Sequence, residues 1–188
     1  MRFRGERDQL ETVIKAGDHE ATVVVHRIDL PAYSGPDPAS TWRKPVVGPP
    51  ARPFAEFQVV DGLEADAWLA AWVNRPGRFI STWEPRVQVE FPQEAIELHD
   101  SIRDESGQKS GCWDVFAWRD GECLFAELKR GGSSDRIRES QLIWRESALR
   151  LGVPAHSFAV VEWYGGTPSS QTHRAERHEV ESVDERDR

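Results

Sequence analysis

The sequence predicts an α/β fold, and three observations indicate this class. A β-branched strand pair lies near the N-terminus, a helical pattern follows near residue 61, and the order strand, hairpin, strand, helix, strand runs from Gly111 to Trp163. The chain has 188 residues, 38% hydrophobic and 30% charged, which is typical of one soluble globular domain with extensions.

Residues 1–60 are predicted to form a strand pair and a proline-rich loop. The run Thr22–His26 is β-branched, as strands prefer, and Ala16-Gly17-Asp18 before it is a turn signal. Residues 31–53 contain seven prolines and two glycines, which break regular ladders and helices. We therefore expect an N-terminal β-hairpin extension, with residues 61–164 forming the core.

Residues 61–73 are predicted to form the first helix of that core, because Trp68 and Trp72 are four positions apart. Residues 79–91 are expected to contain a strand, since the apolar residues Val87, Val89 and Phe91 occupy alternate positions. The pattern of residues 93–105 fits either a helix or a strand.

The second half of the chain has clearer boundaries. Asp120-Gly121 is a typical hairpin turn, and Gly152 followed by Pro154 ends a helix. The predicted elements are strands at 115–118, 123–128 and 157–163, a helix that Ser134 or Asp135 caps and that ends near Leu151, and a polar flexible tail at 165–188.

Three charged residues lie where the predicted strands meet. Glu127 and Lys129 are two positions apart on one strand, so their side chains share a face. The hairpin brings Asp114 close to them. Two carboxylates at such a point suit Mg²⁺ or Mn²⁺, and a lysine beside them can place an attacking water or stabilise charge on a phosphate. An ordinary salt bridge between Glu127 and Lys129 is the simpler interpretation of that pair alone.

Gln141 strengthens the catalytic interpretation. On the predicted helix it falls in the same sector as Ile137, Trp144, Ala148 and Leu151, which lie within about 40° of one direction. A buried amide needs hydrogen-bond partners, and the polar groups at the strand ends are its expected neighbours. A purely structural buried glutamine is the alternative.

These motifs resemble a known nuclease core. Gly111-Cys112-Trp113-Asp114, Glu127-Leu128-Lys129 and Gln141-Leu142-Ile143-Trp144, with the strand that ends at Trp163, are similar to the PD-(D/E)XK superfamily and most similar to its VRR-NUC branch. The similarity covers residues 111–163. Trp113 stands where that family often has proline.

The resemblance implies a restriction-endonuclease-like αβββαβ core with a mixed central sheet flanked by helices. It also implies hydrolysis of DNA phosphodiester bonds with Mg²⁺ or Mn²⁺. By the same resemblance, Asp114, Glu127 and the backbone carbonyl of Leu128 would bind metal, Lys129 would be the catalytic lysine, and Gln141 would steady the site or its water.

The family usually adds one acid from the first helix, and the sequence leaves this acid open. Glu64 is preferred because it lies in the predicted helix at 61–73. The alternatives are Glu94, Glu97 and Asp100, if residues 93–105 are helical.

Charge and composition limit the partners. The net charge of −8 argues against non-specific coating of nucleic acid, although six basic and four acidic residues lie between Glu127 and Arg150. Productive DNA binding is therefore expected to need a homodimer or a partner protein.

The sequence shows no apolar run of membrane-spanning length and no signal peptide, so we expect a cytoplasmic protein without a membrane partner. The competing functional hypothesis is a non-catalytic nucleic-acid-binding or protein-interaction module on a nuclease-like scaffold.

Overall fold

The computed structural model describes residues 2–30, 54–75, 78–82, 87–108 and 110–165. Its regular elements are β1 Glu6–Ala16, β2 His19–Leu30, α1 Phe54–Ala65, β3 Leu69–Arg75, β4 Arg78–Thr82, β5 Val87–Gln88, α2 Gln93–Ser106, β6 Val115–Arg119, β7 Glu122–Arg130, α3 Glu139–Arg150 and β8 Phe158–Gly165. The strands form one sheet in the order β1-β2-β8-β7-β6-β3-β4-β5. The sheet is mixed, because β8 runs parallel to both β2 and β7 while the other neighbours are antiparallel. The predicted α/β class is confirmed.

The predicted N-terminal hairpin is present and belongs to the main sheet. β1 and β2 pair from Glu6 to Ala16, and Gly17 takes a positive φ of 58° in the turn between them. β2 then pairs with β8 from Val24 to Leu30. The predicted proline-rich loop at 31–53 and the tail beyond Gly165 lie outside the described residues.

The first predicted helix was placed wrongly. The helix is Phe54–Ala65, and residues 69–75 form the strand β3. The spacing of Trp68 and Trp72 caused the error, because positions four apart share a face in a strand as well as in a helix. The burial of Ala70 and Ala71, both with no exposed surface, reveals a central strand covered on both faces.

The chain between Arg78 and Ser106 contains two short strands and one helix. Residues 93–105 belong to the helix α2, whose buried face includes Ala95, His99 and Ile102. The strand expected within 79–91 is present as two short strands, β4 and β5. α2 ends at Gly107, which takes the left-handed conformation that glycine tolerates best.

Two apolar layers lie on the two faces of the sheet. On one face α1 contributes Ala55, Val59, Val60 and Leu63, while α2 and α3 pack on the other face through Ile102, Leu142 and Trp144.

Leu151, predicted to be on the buried face of α3, caps the helix and is 43% exposed. Within the described ranges, no helix combines the length and the apolar character needed to cross a lipid bilayer.

Candidate active site

The candidate site lies where β6 begins and β7 approaches its end. The last residue pair between β6 and β7 is Val115 with Ala126. Asp114 and Glu127 therefore lie just beyond the part of the hairpin in which these two strands pair. The predicted Asp120-Gly121 turn closes the other end, and both residues have positive φ, as a tight two-residue turn requires. The hairpin therefore fixes the separation of Asp114 from the Glu127-Leu128-Lys129 segment.

Asp114 and the end of β7 are joined by two hydrogen bonds. The backbone N–H of Leu128 donates to Oδ2 of Asp114 at 3.0 Å, and the backbone N–H of Asp114 donates to Oε2 of Glu127 at 3.3 Å. The Leu128 side chain packs in the apolar layer with α1, on the opposite face from Glu127. The structure thus brings the two predicted carboxylates together.

Lys129 lies beside the same carboxylates. Its Nζ donates to Oε1 of Glu127 at 2.7 Å and to Oδ1 of Asp135 at 3.3 Å. Only 12% of the Lys129 side chain and 3% of the Glu127 side chain are exposed. An ordinary surface salt bridge has two solvated side chains, so the simplest interpretation of this pair does not fit its burial.

A third acid, Glu56, acts electrostatically on Asp114, and the sequence reasoning did not find it. Glu56 lies in the first turn of α1, is buried, and interacts electrostatically with Asp114. The preferred candidate, Glu64, is exposed and lies eight residues later, about 12 Å along the helix axis. The signal for Glu56 was an acid three residues after Pro53, since proline and acids favour the first turn of a helix.

The three alternatives on α2 have other surroundings. Glu94 and Glu97 are exposed, and Oε1 of Glu97 accepts a hydrogen bond from Gln93 at 3.0 Å. Asp100 pairs with Arg103 of the same helix at 2.7 Å. Glu56 is therefore the first-helix acid that the structure places with Asp114.

The crowding of acids changes the protonation of Asp114. Burial raises the pKa of the Asp114 carboxyl to about 8, and the charges of Glu127 and Glu56 act in the same direction. The hydrogen bond from Leu128 and the charge of Lys129 oppose this rise only in part. The ionised form of Asp114 is therefore disfavoured in this site, and a bound cation would favour it.

This pKa shift predicts how the stability of the metal-free protein depends on pH. The folded state binds the Asp114 proton more tightly than the unfolded state, so stability falls as the pH rises from about 4 to about 8. Asp114→Asn removes this titration while its amide oxygen can still accept the Leu128 hydrogen bond. In urea unfolding with chelator, the variant should gain about 2 kcal/mol over wild type between pH 5 and pH 8, allowing for relaxation of the buried site. An equal difference at the two pH values would contradict the shift.

Gln141 is fully buried at the N-terminal end of α3, as predicted, but its hydrogen bond differs from the prediction. Its Oε1 accepts a hydrogen bond from the backbone N–H of Arg138 at 2.9 Å, so it caps its own helix. Among the described residues, its Nε2 has no hydrogen-bond partner. Arg138 precedes α3, so the helix starts later than the predicted caps Ser134 and Asp135 indicate.

The turn before Asp114 packs closely on the start of α3. Nε1 of Trp113 donates to the carbonyl of Gln141 at 3.2 Å, and Trp113 is 1% exposed. Gly111 has a φ of +112°, and a Cβ there would lie 2.3 Å from the carbonyl oxygen of Ser140. Trp113 and Gly111 therefore fix the position of the Asp114 turn relative to Gln141.

The donor set suits a hard divalent ion. Glu56, Asp114 and Glu127 supply carboxylate oxygens, the ligands that Mg²⁺ and Mn²⁺ prefer. In the described part of the chain, no three histidine, cysteine, aspartate or glutamate side chains converge as a ready metal cluster. In this arrangement Lys129 occupies Oε1 of Glu127, and Asp114 accepts the Leu128 hydrogen bond. Metal binding would therefore involve a local rearrangement of these side chains.

Comparisons of the chain with models of protein families, with curated proteins and with solved structures find no match. The geometry and chemistry of the site are therefore the basis for a functional proposal.

Proposed function

We propose that this chain is a Mg²⁺- or Mn²⁺-dependent endonuclease that hydrolyses phosphodiester bonds in DNA. The observation that carries the proposal is the hydrogen-bonded group of Asp114, Glu127 and Lys129 at the start of β6 and near the end of β7, on which the charge of the buried Glu56 of α1 also acts. Charged side chains that are largely shielded from solvent destabilise a fold unless they are well paired. Such a group is more typical of a functional site.

The arrangement of the elements supports the same proposal. α1, β3, β6, β7, α3 and β8 follow in the order α, β, β, β, α, β, and β4, β5 and α2 lie between β3 and β6. β3, β6 and β7 pair antiparallel in turn, and β8 pairs parallel to β7. We propose that these six elements are the restriction-endonuclease-like core that the PD-(D/E)XK resemblance implies, with β1 and β2 as an addition at one edge.

Each residue of the site has a role in the proposed reaction. Asp114, Glu127 and the carbonyl of Leu128 would hold the ion, with Glu56 as the acid from the first helix. When bound, the ion would lower the pKa of a coordinated water and neutralise charge on the phosphate. Lys129 would orient the attacking water or donate a hydrogen bond to the phosphate oxygens as negative charge develops there.

Gln141 would act at the same point from the helix. Its Nε2 is buried and, among the described residues, lacks a hydrogen-bond partner. A buried donor without an acceptor is costly, and an oxygen of the site or of its water would satisfy it. Lys129 and Gln141 would thus have similar roles, since both supply hydrogen-bond donors to oxygen atoms.

Cleavage assays on branched, nicked and linear DNA test the proposal. Purified wild-type protein with Mg²⁺ or Mn²⁺ should cut at least one of these substrates, and chelator should abolish the cleavage. A dilution series of the protein tests whether a second copy is needed. If activity requires a dimer, the cleavage rate per protein molecule falls on dilution. Failure to cut any substrate with either ion, while DNA is still bound, would favour a non-catalytic binding module.

A further inference from the structure

The ammonium group of Lys129 lies between two carboxylates. Its Nζ is 2.7 Å from Oε1 of Glu127 and 3.3 Å from Oδ1 of Asp135. Glu127 belongs to the catalytic cluster on β7, whereas Asp135 belongs to the loop between β7 and α3. The lysine is therefore shared between an acid of the site and an acid outside it.

The loop that carries Asp135 is tied to the sheet and to itself. The N–H of Gly131 donates to the carbonyl of Trp163 at 2.8 Å, which continues the contact between β7 and β8. The N–H of Asp135 donates to Oγ of Ser133 at 3.3 Å. Arg136 donates to the carbonyls of Ser133 and Asp135 at 2.8 and 3.1 Å. These bonds hold the Asp135 backbone at a defined place beside Lys129.

A divalent ion and the lysine would compete for Glu127. In the structure, Oε1 of Glu127 accepts a hydrogen bond from Lys129, and Oε2 accepts one from the backbone N–H of Asp114. Two cations on one small carboxylate repel each other. If an ion takes Glu127, the ammonium needs another anionic partner, and Asp135 already lies within hydrogen-bond distance.

We propose that Asp135 is a positioning residue for Lys129, which holds the ammonium when the divalent ion binds Glu127. The inference rests on the proposed nuclease function. Asp135 acts through the lysine and touches neither the ion nor the DNA. It thereby favours metal binding by drawing a competing cation away from Glu127.

A double-mutant cycle of Mn²⁺ binding, measured by calorimetry without DNA, tests this role. Asp135→Asn should weaken Mn²⁺ binding about threefold to fivefold, the size expected for a partly exposed ion pair. Lys129→Ala should tighten Mn²⁺ binding, because the competitor is gone. Asp135→Asn in the Lys129→Ala background should then have little further effect.

Glu139→Gln is the matched control, since it removes one negative charge from the exposed first turn of α3. Its effect on Mn²⁺ binding measures the loss of long-range charge alone. Two outcomes would overturn only the positioning role. The first is that Asp135→Asn weakens Mn²⁺ binding no more than Glu139→Gln does. The second is that Asp135→Asn weakens Mn²⁺ binding equally with and without Lys129, which would make Asp135 a direct ligand. Absence of Mn²⁺ binding by the wild-type protein would overturn the proposed function and this inference together.

Discussion

Lys129→Ala is expected to slow metal-dependent DNA cleavage by about 10²-fold to 10³-fold, the usual cost of losing one donor that stabilises transition-state charge. Nζ of Lys129 lies 2.7 Å from Glu127 and is mostly shielded from solvent, so another lysine on the surface cannot replace it. Lys129→Arg should restore little activity, because the planar guanidinium does not fit the space of a compact ammonium. Initial rates at saturating Mn²⁺ measure both effects.

Lys15→Ala is the control for the loss of one positive charge. Lys15 is exposed on β1, where it pairs with Glu20, and its removal should leave the cleavage rate unchanged. The Lys129 variant should combine slower cleavage with tighter Mn²⁺ binding, which separates a catalytic defect from a loss of metal. Equal rates for wild type and Lys129→Ala would remove the lysine from the mechanism.

Glu56→Gln is expected to reduce cleavage by about 10²-fold or more, an effect of the size known for altered metal-site partners. Glu56 is buried, and its charge adds to the rise in the pKa of the Asp114 carboxyl that burial and Glu127 cause. The amide keeps the shape of the side chain but lacks the charge that helps to hold a cation. Because the substitution also removes a repulsion with Asp114, the metal-free variant should be at least as stable as wild type.

Glu64→Gln provides a control on the same helix. Glu64 is exposed at the far end of α1, so its substitution should change neither the cleavage rate nor the Mn²⁺ affinity. Thermal unfolding of both variants shows whether the helix is intact. A loss of activity in Glu64→Gln with normal activity in Glu56→Gln would restore the original prediction from sequence.

The sequence was informative where one pattern had only one structural solution. Asp120-Gly121 predicts a tight turn, and the two-residue spacing of Glu127 and Lys129 places both on one face, so the geometry around Asp114 followed directly. The buried position of Gln141 was also predicted from helical periodicity. These features depend on local backbone geometry, which the sequence encodes within a few residues.

The prediction from sequence was wrong where one spacing of apolar residues fits both the helical and the strand period. Trp68 and Trp72 share a face in either a helix or a strand, and choosing the helix moved the start of the core past Glu56. The sequence predicts Ser134 or Asp135 as the helix cap, because serine and aspartate are common at that position. Only the tertiary structure shows that α3 begins later and that Asp135 contacts Lys129.

The decisive measurement is the cleavage rate of wild-type protein and of Asp114→Ala on the best DNA substrate, with Mn²⁺ and with chelator. We expect metal-dependent cleavage by wild type and a rate at least about 10³-fold lower for the variant, because it lacks a ligand carboxylate. Equal cleavage by both proteins would place the activity elsewhere or in a contaminant. The absence of cleavage by wild-type protein on every DNA tested, with either ion, would contradict the assignment of this cluster as a nuclease site.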